Sequence, residues 1–147
     1  MDNKNAMGRF GGKMRKIKFR GKHHETNNWI YGSLVKMDGG GYAILDGKFS
    51  PEHEEVFLNV LEFQAVKYKT IGQFTGLQDK NGNDIYEGDI IKVDENIGRI
   101  VWGGYWNYSA FGIETDNPLY PNDKPVTWDA LNPEWVKDIE IIGNIHE

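Results

Sequence analysis

Between Gly72 and Val93 the chain reads GQFTGLQDKNGNDIYEGDIIKV, two turns packed between short apolar runs. Asn81-Gly82 is its strongest hairpin signal, because both central residues of a type I′ turn need φ > 0. Glu87-Gly88-Asp89 is a second turn. It feeds Ile90-Ile91-Lys92-Val93, a β-branched run with strand character. The stretch therefore predicts a hairpin, a tight corner and a buried strand. Gly82 and Gly88 are the positions where the backbone should depend on glycine. Asp89, just past the corner, is placed to accept backbone N–H groups and hold the strand entry.

The rest of the chain repeats this grammar. Arg15 to Arg20 alternates, with Ile17 and Phe19 on one face and Lys16, Lys18 and Arg20 on the other. That predicts a half-buried strand with a basic outer face. Trp29 to Met37 and Tyr42 to Leu45 predict a hairpin closed by Asp38-Gly39-Gly40-Gly41. Ser50-Pro51 followed by acids is helix-start chemistry, yet Val56 to Val66 fits alternation about as well, so residues 51–63 stay open between helix and strand, with one helical turn at most and then a strand favoured. Lys67 to Ile71 reads as another strand. After a loop at residues 94–98, Arg99–Trp102 and Tyr105–Ile113 read as strands joined by Gly103-Gly104. Residues 117–133 hold four of the five prolines and read as a long irregular loop. One helical turn at 133–138 and a closing strand at 139–142 complete the chain. The fold class expected is all-β with short helical turns.

Charge is split along the sequence. Residues 1–22 carry eight basic side chains against Asp2, a net +7, and the other 125 residues carry nine basic and 21 acidic groups, a net −12. A basic arm can meet a phosphate backbone, but acidic charge is abundant within the same chain and would repel one. The preferred partner for the arm is this protein's own body or a neighbouring subunit. There are no cysteines, so disulfides, thiolate metal sites and a Cys nucleophile are excluded. No apolar run approaches the ~20 residues of a membrane span, and the start is polar with no signal-peptide centre. A cytoplasmic protein with no membrane contact is expected.

Four carboxylates, Asp79, Asp84, Glu87 and Asp89, crowd into the central stretch. Paired carboxylates can serve acid–base or two-metal chemistry. Read as a calcium loop from Asp79, the stretch fails at position 6 (Asp84) and position 12 (Ile90). Turn formation accounts for these residues better. His23-His24-Glu25 lacks the spacing of a metal site. No nucleotide loop and no nucleophile elbow is present. No cofactor is expected. Trp102-Gly103-Gly104-Tyr105-Trp106-Asn107-Tyr108 is the richest aromatic cluster. With Gly103-Gly104 as a two-residue loop, Trp102 pairs with Tyr105 on the core face, and Trp106 and Tyr108 fall on the opposite face. Those two aromatics, with Arg15, Lys16, Lys18 and Arg20, are the candidate partner-binding residues.

The central GQFTGLQDKNGNDIYEGDII, the opening Met14-Arg15-Lys16-Ile17-Lys18-Phe19-Arg20 and the closing Ile142-Gly143-Asn144-Ile145-His146-Glu147 together resemble the YopX family of phage and prophage proteins. The resemblance spans roughly residues 14–147. It implies a small β protein whose C-terminal half is an SH3-type barrel, in a bacterial host cytoplasm. It implies no activity and no catalytic residue. The organisation expected is an extension at 1–13, an N-terminal β region at 14–72 and an SH3-like barrel at 73–147. The leading functional reading is a non-enzymatic binding or assembly module, working as a homo-oligomer or on a protein partner. The alternatives are single-stranded nucleic-acid binding through the basic strand and aromatics and, last, a metal-dependent enzyme using the four carboxylates.

Overall fold

The computed structural model describes residues 16–46, 62–103, 110–115, 126–131 and 133–147. The expected extension at 1–13, Arg15, the undecided segment up to residue 61, and Trp106 and Tyr108 lie outside them. Eleven strands are described: β1 Phe19–Lys22, β2 Trp29–Lys36, β3 Tyr42–Asp46, β4 Glu62–Ala65, β5 Gly72–Gln78, β6 Asp84–Tyr86, β7 Asp89–Val93, β8 Asn96–Trp102, β9 Phe111–Thr115, β10 Val126–Ala130 and β11 Glu140–Asn144. They form a six-stranded sheet in the order β4-β3-β2-β1-β5-β6 and a five-stranded sheet in the order β10-β9-β8-β7-β11. Every pairing of named strands is antiparallel. The protein is all-β, as its turn spacing and alternation predict. Among the described residues the second sheet stays open, with β10 and β11 at opposite edges rather than closed into a barrel. The chain passes from one sheet to the other at Glu87-Gly88.

Alternation within β6 ties the two sheets together. Ile85 is fully buried in the core of the second sheet, with Ile91, Ile100, Phe111, Ile113, Val136 and Ile139. Its neighbour Tyr86 turns to the opposite face and packs on Phe74 of β5, ring centroids 5.5 Å apart. Gly88 makes the crossing with φ 86°. Its N–H donates to the Ile100 carbonyl and its carbonyl accepts from Ile145 N–H, so both neighbouring strands hold the corner.

Several local expectations give way to specific contacts. The Asn81-Gly82 hairpin is not type I′: Gly82 has φ 82°, but Asn81 is not among the described residues with positive φ. Gly82 N–H donates to Asp79 O and Asp79 N–H to Asn83 O, which defines a three-residue loop with glycine in the left-handed position. Lys67–Ile71 is not a strand. Tyr68–Thr70 forms a 3-10 turn, because the Thr70 hydroxyl donates to Lys67 O and accepts the Lys22 N–H that a neighbouring strand would have taken. β8 begins at Asn96, leaving only Asp94-Glu95 as the loop after β7. Trp102 pairs with Phe111 rather than Tyr105, and it is 49% exposed rather than core, at the end of its strand. Val126–Ala130 is a strand within the proline-rich segment, since none of its five residues is proline. The helical turn is present as Trp135–Asp138, immediately before β11.

Candidate functional site

The basic face of β1 points inward. Arg20 and Lys22 are 7% and 8% exposed, whereas Ile17 is 66% exposed. This reverses the expected orientation, in which Lys16, Lys18 and Arg20 lined the surface. The physical reason lies on both sides of the strand. On one, Val66 packs against Gly21 so closely that an added Cβ would meet it at 3.0 Å, leaving no room for a larger side chain. On the other, the β6–β7 corner and the C-terminal turn offer carboxylates, a carbonyl and aromatic faces. Long cationic side chains can bury their stems there and still be satisfied at the head.

Each cation has its own seat. Lys18 pairs with Asp84 and lies over the rings of Phe74 and Tyr86, 4.9 and 5.5 Å from their centroids. Burial pulls the Lys18 pKa down, but Asp84 and Tyr86 together outweigh it and the ammonium titrates above the ordinary lysine value. Arg20 Nη2 donates to Asp89 Oδ1 at 2.5 Å and to the Glu87 carbonyl at 3.3 Å. Its guanidinium lies between Trp29 and Tyr86, 4.6 and 4.8 Å from their ring centroids. Lys22 Nζ donates to the His146 carbonyl at 2.8 Å and also lies over Trp29. Cation–aromatic contacts of this kind strengthen as water is excluded. His146 titrates below the ordinary histidine range, because burial and the neighbouring positive charges of Arg20 and Lys22 disfavour its proton.

The four carboxylates are engaged one by one. Asp89, 1% exposed, accepts Tyr86 N–H at 2.7 Å on one oxygen, and Arg20 and the Asn144 amide on the other. Asp79 accepts the N–H groups of Asn81 and Asn83 at 2.9 Å each and of Ile141 at 3.2 Å. Burial pushes its pKa up, yet those donors outweigh burial and hold it below the ordinary range. Asp84 is lowered in the same way by Lys18 and Gln78, against its burial. Glu87 is raised by burial, the Gln73 backbone N–H that donates to its carboxylate giving only partial compensation. Three of these side chains hold backbone or cations in place. Among the described residues no group of three or more His, Asp or Glu is arranged to hold a metal. His23 acts as a turn cap, its Nδ1 accepting N–H from Glu25 and Thr26.

Of the sequence-predicted partner-binding residues, only Lys16 is exposed and described. Lys18 and Arg20 are committed to internal pairs, and Arg15, Trp106 and Tyr108 lie outside the described residues. The structure brings Asn81, Gly82, Gly88 and Asp89 into one continuous turn–corner unit, closed from the far end of the chain by Ile141 and Asn144.

A feature the sequence reading missed sits at the open end of the second sheet. Ile91, Val93, Ile97, Gly98, Ile113 and Thr115 line a groove of about 200 Å³, with Asp94 and Asn96 at its mouth. It exists because β8 starts earlier than expected: the Val93–Asn96 hairpin end brings Ile97 to the rim, where it is 56% exposed. The alternating Asn96-Ile97-Gly98-Arg99-Ile100 was the available signal. Asp94 holds the tight loop at φ 52°, a region that Asp tolerates better than most residues.

Comparison with curated proteins gives no match. The family model described as YopX protein matches residues 18–147, from the first ion-paired lysine of the β1 segment to the last residue of the C-terminal turn. This chain belongs to the YopX family.

Proposed function

We propose that this protein is a non-enzymatic binding module whose groove between β7, β8 and β9 receives a protein segment presenting one bulky apolar side chain beside basic residues. The observation that carries this reading is the groove itself, an apolar recess of about 200 Å³ with Asp94 at its mouth. Pockets for cofactors and other small molecules run to ~300–1,000 Å³, so the recess suits a single side chain better. The acidic mouth favours a cation next to that side chain. The carboxylates that an enzyme would need are engaged in backbone, cation or amide contacts, which argues against catalysis at the central corner. In this reading the five-stranded sheet is an opened SH3-type barrel. The meander β7-β8-β9-β10, the 3-10 turn and the return of β11 beside β7 support that assignment. Its setting would be the cytoplasm of a phage host or lysogen.

The test is selection from a random peptide library, followed by methyl NMR of the isoleucines and valines. Enriched peptides should carry a large apolar residue flanked by Lys or Arg. They should shift Ile91, Val93, Ile97 and Ile113, and lose affinity on Ile97→Ser or Asp94→Asn. Enriched peptides that shift residues elsewhere, or no enrichment at all, would overturn the reading.

A further inference from the structure

A second surface lies on the six-stranded sheet, where the Tyr68–Thr70 turn meets the β2–β3 pair. Lys36 and Tyr42 are directly paired across β2 and β3, so their side chains share one face. Tyr68 stacks on Tyr42 with centroids 5.4 Å apart and planes 28° from parallel, yet remains 70% exposed. The exposed residues on either side of it are Lys67 and Lys69. Among the described residues no carboxylate lies within ion-pairing distance of Lys36, Lys67 or Lys69. Lys67 reaches only the neutral Asn27 Oδ1, at 3.0 Å. This contrasts with Lys18 and Arg20 in the same sheet, whose charges are neutralised internally.

The backbone carrying Tyr68 is pinned. Lys67 N–H donates to the Lys22 carbonyl at 2.8 Å, and the Thr70 hydroxyl joins Lys67 O to Lys22 N–H. Ile71 N–H closes the turn on Tyr68 O. An aromatic ring that the fold presents to water, oriented by a second ring and flanked by lysines with no carboxylate partner among the described residues, has the two elements single-stranded nucleic-acid sites combine. The π-face stacks a base, and the cations take the neighbouring phosphates. Stacking on one ring needs an unpaired base, so a duplex is disfavoured. From this we infer that Lys36, Tyr42, Lys67, Tyr68 and Lys69 form a contact surface for single-stranded nucleic acid. It is independent of the apolar groove and of the buried face of β1.

The test is fluorescence anisotropy of the full chain with a labelled mixed-sequence single-stranded 12-mer and the matching duplex, at 50 and 200 mM salt. Single strands should bind in preference to duplex. With three phosphates neutralised, affinity should fall roughly twenty-fold between the two salt concentrations. Tyr68→Ala should weaken binding by about five-fold or more, the loss of one stacked base, and Tyr68→Trp should restore it. Lys67→Glu/Lys69→Glu should abolish binding while the thermal melt is unchanged, because both side chains are exposed. Lys137→Glu, on an exposed lysine of the 3-10 turn before β11, should leave it intact, as should Ile97→Ser in the groove.

Three results would overturn the inference. One is no binding at 50 mM salt. Another is binding that survives Tyr68→Ala and Lys67→Glu/Lys69→Glu but is lost on Lys13→Glu/Arg15→Glu. The third is competition by poly-glutamate as effective as by oligonucleotide, which would make this a docking face for an acidic protein.

Discussion

Arg20 Nη2 stands 2.5 Å from Asp89 Oδ1, and this pair joins the first strand of one sheet to the first strand of the other. Both side chains are almost fully buried, so the pair rests on its neighbours: Trp29 and Tyr86 around the guanidinium, Tyr86 N–H and Asn144 on the carboxylate. Removing one member of a buried pair leaves an uncompensated charge and typically costs ~3–5 kcal/mol. Replacing both with apolar groups is far milder. Urea denaturation should therefore find Asp89→Leu and Arg20→Met each strongly destabilised. The double variant should recover part of the sum, as coupled neighbours do. Strict additivity of the two losses would show that the contact carries no coupling.

Gly82 and Gly88 provide a second test, because their positive φ values are similar but their surroundings differ. An added Cβ at Gly82 meets nothing within 4 Å, whereas at Gly88 it would sit at 3.4–3.6 Å from Ile145 and Asn144, in ordinary contact. Neither position is sterically closed, so the penalty in both cases is conformational. Alanine at either site should cost about 1–2 kcal/mol, the strain of a left-handed L-residue. Gly82→Asn should cost less than Gly82→Ala, since Asn tolerates that region. Equal melting temperatures for wild type and both alanine variants would contradict this account.

These residues also show where the sequence was legible. The turn–corner unit could be read directly, because glycine, Asn and Asp act on their own backbone within a few residues. The β2–β3 hairpin and the turn before β11 were legible for the same reason. The orientation of β1 was not. Alternation says that apolar and charged residues lie on opposite faces, and it assigns the apolar face to the core. Here the partners that reverse the assignment, Asp84, Asp89 and His146, are 66, 69 and 124 residues away from Lys18, Arg20 and Lys22. No local pattern carries that information. The Lys67–Ile71 turn was hidden likewise, since it depends on a bond from the Lys22 N–H to the Thr70 hydroxyl. The exposure of Tyr68 between two lysines was visible as Lys-Tyr-Lys, but only the stack on Tyr42 gives that pattern a direction.

Burial of Glu87 outweighs its partners, so its folded pKa lies above its unfolded value. The folded state therefore holds the Glu87 proton more tightly, and ionisation at neutral pH opposes folding. Glu87→Gln should raise the melting temperature at pH 7. The gain should shrink as pH falls through the raised pKa, where the native side chain becomes neutral as well. Parallel thermal melts of wild type and variant at pH 7 and at about pH 4 measure this, the lower value lying near the ordinary glutamate pKa. A variant less stable than wild type at pH 7 would show that the carboxylate makes a favourable contact as an anion.

Asp79 acts in the opposite sense and adds to the loss of stability in acid. Its pKa is lowered, so the stabilisation it provides is fully present above the unfolded value near ~3.9 and is lost as pH falls through the folded value. The contacts at stake are the three N–H groups of Asn81, Asn83 and Ile141, the last of which attaches the β5–β6 hairpin loop to β11. Asn at this position has one acceptor oxygen and would turn an amide donor toward at least one of those N–H groups. Asp79→Asn should cost about 1–3 kcal/mol at neutral pH, the range for leaving a buried polar group unsatisfied. His146 adds an earlier step of the same sign. Its folded pKa is depressed, so its contribution is lost as pH falls from about 6.5 through the folded value. Apart from the opposite contribution of Glu87, a plot of stability against pH should thus fall in two stages for the wild type. The lower stage should be reduced in Asp79→Asn and the upper stage absent in His146→Gln. A lower stage of the same size in Asp79→Asn would remove Asp79 from the account and leave Asp84, with its Lys18 partner, as its source.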